Sequence, residues 1–181
     1  MLRPVSLLAV LAWACATSSS SSPGAGASSA PASAATATLA PRSDSTTSGT
    51  ARFTSSAGAL AVHLEVQGAA PGEHGVHIHE KGDCSDPKAT SAGGHFNPSA
   101  GAHHGGPATD PRHGGDLGNM TADASGKGTL EVMVAGLSLD GPQNGVIGRS
   151  IVVHEKADDL QTDPAGNSGA RVACGVIQAA R

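Results

Sequence analysis

His77 and His79 stand two residues apart in HGVHIHE, inside a run that alternates like a β-strand. Successive strand side chains leave opposite faces, so these two rings share a face and can converge on one ion. An HxH pair alone is a weak signal, but more donors follow. His154 closes the apolar run SIVVHEK, where an imidazole beyond Ile151 and Val153 is expected to be exposed, with no role in a core. His95 follows two glycines in SAGGHFNP, and glycine lets backbone come close to a site. The stretch HHGGPATDPRHGGD then supplies His104, His113 and Asp116. Three or four imidazoles suit copper, whereas imidazoles with one carboxylate in a tetrahedral set suit zinc. Six histidines and one aspartate thus point to a site for two metal ions and to copper redox chemistry.

Positioning these donors is a task for β-strands. Period-two alternation with Gly/Pro punctuation predicts strands at 35–40, 50–55, 60–66, 75–79, 117–122, 128–134, 150–154 and 172–177, and no segment has the pattern of a long amphipathic helix. Eight short strands indicate an all-β sandwich or barrel. Between His79 and Leu117 no strand signal occurs, and a loop of that length in a compact domain is usually functional or disordered; here it carries the histidines. Beyond Trp13 the only aromatics are Phe53 and Phe96, so the core must be Val, Leu, Ile and Ala. The formal net charge is -4 and no Lys/Arg cluster occurs, which argues against nucleic acid or an anionic membrane surface as partner.

The N-terminal third is Ala, Ser, Thr, Gly and Pro with little apolar periodicity. Arg3 followed by PVSLLAVLAWA forms a charged and then an apolar region too short to span a bilayer as a mature helix, the pattern of an export signal. Ala12-Trp13-Ala14 before Cys15 is expected to act as a lipoprotein box with lipid on Cys15; the other reading is an A-x-A cleavage site that leaves a free exported protein. The expected organisation is a signal over 1–15, a Ser/Ala/Gly/Pro-rich disordered tether over 16–35 and a domain over 36–181. The expected location is the periplasm or outer cell envelope. In that compartment disulfides persist, and with Cys15 lipidated or removed one pair remains, Cys84 with Cys174.

Five motifs occurring in order, GEHGVHIHEKGDC, GGHFNP, HGGP with PRHGGDLGN, VVHEKADDL and GNSGARVACGVI, give the chain a resemblance to the copper,zinc superoxide dismutases over about residues 36–177. The resemblance implies a flattened eight-stranded Greek-key β-barrel. It implies that His77, His79, His95 and His154 hold copper, and that His95, His104, His113 and Asp116 hold zinc, with His95 shared as a bridging imidazolate. Asp158 resembles the carboxylate that hydrogen-bonds ligand histidines of both metals. Arg171 resembles the arginine that guides and holds the substrate anion beside copper, and Cys84 with Cys174 the intrasubunit disulfide. The implied activity is disproportionation of superoxide to oxygen and hydrogen peroxide, with His95 and Arg171 in the catalytic roles.

The other histidines have plainer readings. His74 matches a structural position bonded to backbone, and His63 falls on a polar face. His103 neighbours His104 and competes with it for the zinc role; the HGGP that follows favours His104. The chain departs from the family's animal members between His154 and Arg171, where the segment is shorter and lacks a Glu/Lys cluster, so steering of the anion would fall to Lys81, Lys88 or Lys156. Two other functions fit the same motifs less well. A copper-only relative would lack His104, His113 and Asp116, and a non-enzymatic copper- or zinc-binding or copper-delivery protein would lack His95 or Arg171. Either a monomer or a homodimer agrees with the sequence.

Overall fold

The computed structural model describes residues 33–99 and 101–180. The export signal, Cys15 and most of the tether expected from the sequence lie outside the described residues. Among the described residues nine strands follow in order: β1 (Ala34–Pro41), β2 (Ser48–Ser56), β3 (Ala59–Gln67), β4 (Gly72–His79), β5 (Asp116–Ala122), β6 (Gly128–Ala135), β7 (Ser150–His154), β8 (Arg171–Val176) and the two-residue β9 (Gln178–Ala179). Every pairing is antiparallel. The order β1-β2-β3-β6-β5-β4-β7-β8 closes on itself because β8 and β2 both pair with β1, giving an eight-stranded Greek-key barrel with β9 appended to β1. Closure removes the unpaired edges on which other chains would add strands.

Alternation explains most of the strands. In β3, Leu60, Val62, Leu64 and Val66 point inward while Glu65 and Gln67 face out. The interior is filled by Phe53, Leu39, Leu60, Leu64, Ile78, Leu117, Met120, Leu139, Ile151 and Ile177, all buried. Each such side chain contributes about 1.5–3 kcal/mol of transfer free energy, and Phe53 and Phe96 are the phenyl rings in this core. The first strand begins at Ala34, one residue ahead of the expected start, and Ala34 and Ala35 are buried barrel residues. β4 begins at Gly72, three residues ahead of the expected start, because Gly72–Gly75 pair with Asn119–Ala122 before the register shifts between Gly75 and His77. Cross-strand pairing of this kind leaves no mark in local alternation.

β4 from His74 onward and the whole of β7 are buried along both faces. Val76 and Ile78 enter the core, which turns His77 and His79 to the opposite face, where the long loops cover them. The loop between β4 and β5 contains a 3₁₀ turn at Thr90–Ala92 and an isolated bridge between His79 and His95. Cys84 in this loop is bonded to Cys174 on β8, with the Cα atoms 5.8 Å apart. In the chain-entropy model a crosslink across a sequence separation of 90 residues contributes about 4.6 kcal/mol. A second small apolar cluster of Ala89, Ala92, Val152 and Cys174 seats the loop on the barrel.

Candidate metal centre

The register across β4, β5, β7 and β8 assembles the site. His77 lies opposite Asp116 on β5 and Val152 on β7, and His154 lies opposite Arg171 on β8 at a second register shift. The fixed loop adds His95, whose position is set by hydrogen bonds from the Phe96 N–H to the Ile78 carbonyl and from the Gly115 N–H to the Phe96 carbonyl, both at 2.8 Å. Backbone thus locks the residue after His95 between the strands that carry the other donors.

Two four-residue clusters result, each with its ligand atoms within 4.8 Å of one another: His77, His79, His95 and His154, and His95, His104, His113 and Asp116. His95 belongs to both. In the first cluster, Nδ1 of His79 donates to the Gly93 carbonyl at 3.0 Å and Nδ1 of His154 to the Gly169 carbonyl at 3.3 Å. Their Nε2 atoms therefore carry lone pairs, and these face each other at 3.4 Å. Nδ1 of His77 and Nε2 of His95 are buried without a hydrogen-bond partner. Buried nitrogens with unused lone pairs are costly unless a cation receives them, so the residues fit a metal ion held by imidazole alone. The second cluster gathers around one carboxylate oxygen. Oδ1 of Asp116 is 2.8 Å from Nδ1 of His95, 3.1 Å from Nδ1 of His104 and 3.5 Å from Nδ1 of His113. Nδ1 of His104 and of His113 are again buried and unpartnered. Three imidazoles with one carboxylate are a donor set for tetrahedral zinc.

Asp158 ties the clusters together from behind. Its Oδ2 accepts from Nε2 of His77 and its Oδ1 from Nε2 of His104, both at 2.8 Å, which leaves the Nδ1 atoms of both rings turned to the two clusters. Asn119 fixes Asp158 in turn, donating to its carbonyl at 2.8 Å and accepting from its N–H at 2.7 Å. That clasp was not foreseen, although Asn119 lies inside the motif PRHGGDLGN. Arg112 was also missed; its Nη1 donates to the carbonyls of His113, Gly114 and Asp116.

Electrostatics divide the halves. Burial, aided by its charged neighbours, holds His79 and His154 well below the usual histidine range, and burial lowers His77 to about 4. These rings are neutral at pH 7, with lone pairs available. Burial also opposes charge on His104, but the adjoining carboxylates of Asp116 and Asp158 outweigh it and raise the ring to about 10. Both carboxylates overcome their own burial through those histidines and lie far below their ordinary range.

His77, His79, His95, His104, His113 and His154 come together here with Asp116 and Asp158, while Cys15 lies outside the described residues. His154, expected to be exposed, is instead buried at 3 % exposure, because the loop after β7 folds over it. Arg171 donates from Nη1 to the Ala89 carbonyl at 2.6 Å and from Nη2 to the Gly93 carbonyl at 2.7 Å, the oxygen that also receives His79. His103 points away: its side chain is 81 % exposed and pairs with Asp163 at 2.5 Å, while the His104 side chain is fully buried. Both ring nitrogens of His74 lie against backbone oxygens, the His154 carbonyl at 2.8 Å and the Ala70 carbonyl at 2.7 Å. His63 is half-exposed beside Glu131.

A closed eight-stranded antiparallel barrel bearing two histidine clusters that share one ring defines the class: an all-β protein with adjoining sites suited to two metal ions. Residues 47–177 match the family model of copper/zinc superoxide dismutase. The chain is 48 % identical over 142 residues to the superoxide dismutase (Cu-Zn) of Deinococcus radiodurans, which covers 73 % of this chain and 78 % of that one. It is 47 % identical over 135 residues to the extracellular superoxide dismutase (Cu-Zn) of Caenorhabditis elegans, 71 % of this chain and 60 % of that one. Among solved structures it resembles the clock protein EA4 with a TM-score of 0.74 and 40 % identity, over 83 % of this chain and 97 % of that chain. The chain belongs to the copper/zinc superoxide dismutase family.

Proposed function

We propose that this protein converts superoxide to oxygen and hydrogen peroxide at a copper ion, with a structural zinc ion on the far side of His95. His95 carries the reading: one ring places Nδ1 2.8 Å from Asp116 in one cluster and presents a buried, unpartnered Nε2 to the other. The copper ligands are His77 through Nδ1 and His79, His154 and His95 through Nε2. The zinc ligands are His95, His104 and His113 through Nδ1 and Asp116 through Oδ1. Copper bound there would supply one-electron redox chemistry, alternating between its cupric and cuprous states.

The chain's own groups do the rest. Carbonyls of Gly93 and Gly169 and the carboxylate of Asp158 fix the tautomers of His79, His154 and His77, so each ring offers a lone pair without rearrangement. Arg171 spends two of its N–H groups on the Ala89 and Gly93 carbonyls and keeps the others, and its charge, for an anion beside His154. Nε2 of His95, buried and without a partner in the protein, is the atom that would take up a proton whenever it is not holding the metal and pass it to the reduced substrate, while Nδ1 stays on the Asp116 side. The overall chain is acidic, so the local positive field of Arg171 is what draws a small anion in.

The sequence supports an exported protein, with a signal over 1–15, lipid on Cys15, a tether over 16–35 and the enzyme domain beyond it, held at the periplasm or outer envelope. The extracellular relative in Caenorhabditis elegans agrees with export. Metal analysis coupled to a dismutase assay on the chain without its leader tests the function. One copper and one zinc per chain are expected, with activity abolished in His154→Ala; a His154→Ala protein of undiminished activity refutes the proposal.

A further inference from the structure

We propose that Arg42 is a positioning residue for Arg171, a second and non-covalent latch on the loop that the disulfide also anchors. Arg42 directly follows β1. Its Nε donates to the Cys84 carbonyl at 2.8 Å, and its Nη2 donates to the same oxygen. Nη1 donates to the Pro41 carbonyl, and the backbone N–H to the Val172 carbonyl at 2.9 Å. Among the described residues no carboxylate pairs with this guanidinium, so its partners are carbonyl oxygens. The next residue extends the contact, with the Ser43 N–H donating to the Pro87 carbonyl at 2.8 Å.

Cys84 is therefore held twice: its sulfur is bonded to Cys174, and its carbonyl is gripped by Arg42. What lies downstream gives the grip its consequence. Five residues further on, the Ala89 carbonyl receives Nη1 of Arg171, and the Gly93 carbonyl receives both Nη2 of Arg171 and Nδ1 of His79. A loop that lifts at Cys84 loses the acceptors that aim the anion-holding guanidinium and fix the His79 tautomer. Ala89 and Ala92 are small, and their contact with Val152 and Cys174 is a weak apolar seat by itself. A charge-assisted bond to a confined carbonyl changes such a local equilibrium by about tenfold or more. With the disulfide intact the backbone at Cys84 is already confined and Arg42 adds little; with the disulfide open, Arg42 carries the loop. Two restraints on one residue give non-additive effects on removal.

The functional consequence rests on Arg171 holding the substrate anion, whereas the latch itself stands on contacts alone, and the experiment separates the two. Arg42→Ala is made in the full metal-loaded chain and in the same chain carrying Cys84→Ala and Cys174→Ala. Hydrogen exchange of the amides at 88–93 reads the latch, and azide binding, followed by the visible spectrum of the copper(II)-loaded protein, reads the placement of Arg171. In the disulfide-free chain Arg42→Ala is expected to speed exchange about tenfold and weaken azide binding by a similar factor, with changes of about threefold or less when the disulfide is present. Equal factors in the two backgrounds, or no acceleration in the disulfide-free chain, overturn the proposal. Arg171→Ala is the control: if it leaves azide affinity unchanged, the role of Arg171 fails while the exchange result still decides the latch. Should the disulfide-free chain not fold, the rate at which dithiothreitol reduces Cys84–Cys174 in the intact protein takes its place. Arg42→Ala is expected to raise that rate about threefold at unchanged global unfolding, and an unchanged rate overturns the latch.

Discussion

Replacing Gly166 with alanine tests how the two halves of the site are coupled. Gly166 sits at a φ of +59° directly above the Asp158–His104 contact. A Cβ there would overlap Oδ1 of Asp158 and lie 2.6 Å from both the Asp158 Cγ and Nε2 of His104. Neither group has room to yield, because both side chains are fully buried and Asn119 clasps the Asp158 backbone. Left-handed backbone costs an alanine about 1 kcal/mol. Breaking the charge-assisted bond between Asp158 and His104 costs about 2 kcal/mol. Gly166→Ala should thus destabilise the metal-free chain by about 3 kcal/mol, or about 10 °C in Tm for a domain of this size. Moving the His104 ring should also weaken zinc retention against a chelator. Asn167→Ala is the matched control: its φ is 52°, and its side chain donates to Asp159 at the surface rather than touching His104. Urea unfolding of the two metal-free variants decides the matter. If Gly166→Ala loses no more than Asn167→Ala, only backbone strain is at work and the wedge on Asp158 is refuted.

Two further outcomes follow from the same geometry. His104→Ala should abolish zinc retention, while His103→Ala, which removes only an exposed pair with Asp163 worth under about 1 kcal/mol, should keep it; zinc lost from the second variant and kept by the first would reverse the assignment. Stability of the metal-free chain should fall as pH drops from 6.5 toward 4, because the unfolded chain binds a proton at His77 that the folded chain, lowered to about 4, refuses. His77 alone accounts for about 3 kcal/mol of that loss. Below about pH 4 the depressed Asp116 and Asp158 add to it, whereas the raised His104 stabilises below its unfolded value and is lost only as pH climbs through 10. Urea unfolding between pH 7 and 5 checks this, and a flat profile would contradict it.

Most of the chemistry was legible in the chain because it depends on residue type and short spacing. HxH on an alternating strand, a histidine after paired glycines and the His104–Asp116 stretch are local signals, and the period-two pattern placed eight strands to within a few residues. What lay beyond the sequence depends on pairing between distant segments. Only the register of β7 against β8 puts Arg171 opposite His154, and only closure of the loops buries a histidine that alternation left exposed. Only the HGGP that follows favoured His104 over its neighbour His103, since adjacent loop residues share most local properties; the fold separates them by turning one ring to Asp163 and the other to Asp116. The Asn119 clasp, the Arg112 contacts and the Arg42 grip on Cys84 were invisible for the same reason, being bonds to backbone oxygens that no side-chain pattern records. The sequence by itself determined which donors exist and the kind of chemistry they suit. The tertiary structure decided which nitrogen of each ring faces which cluster, because a tautomer is set by the partner across the fold and not by the neighbour along the chain.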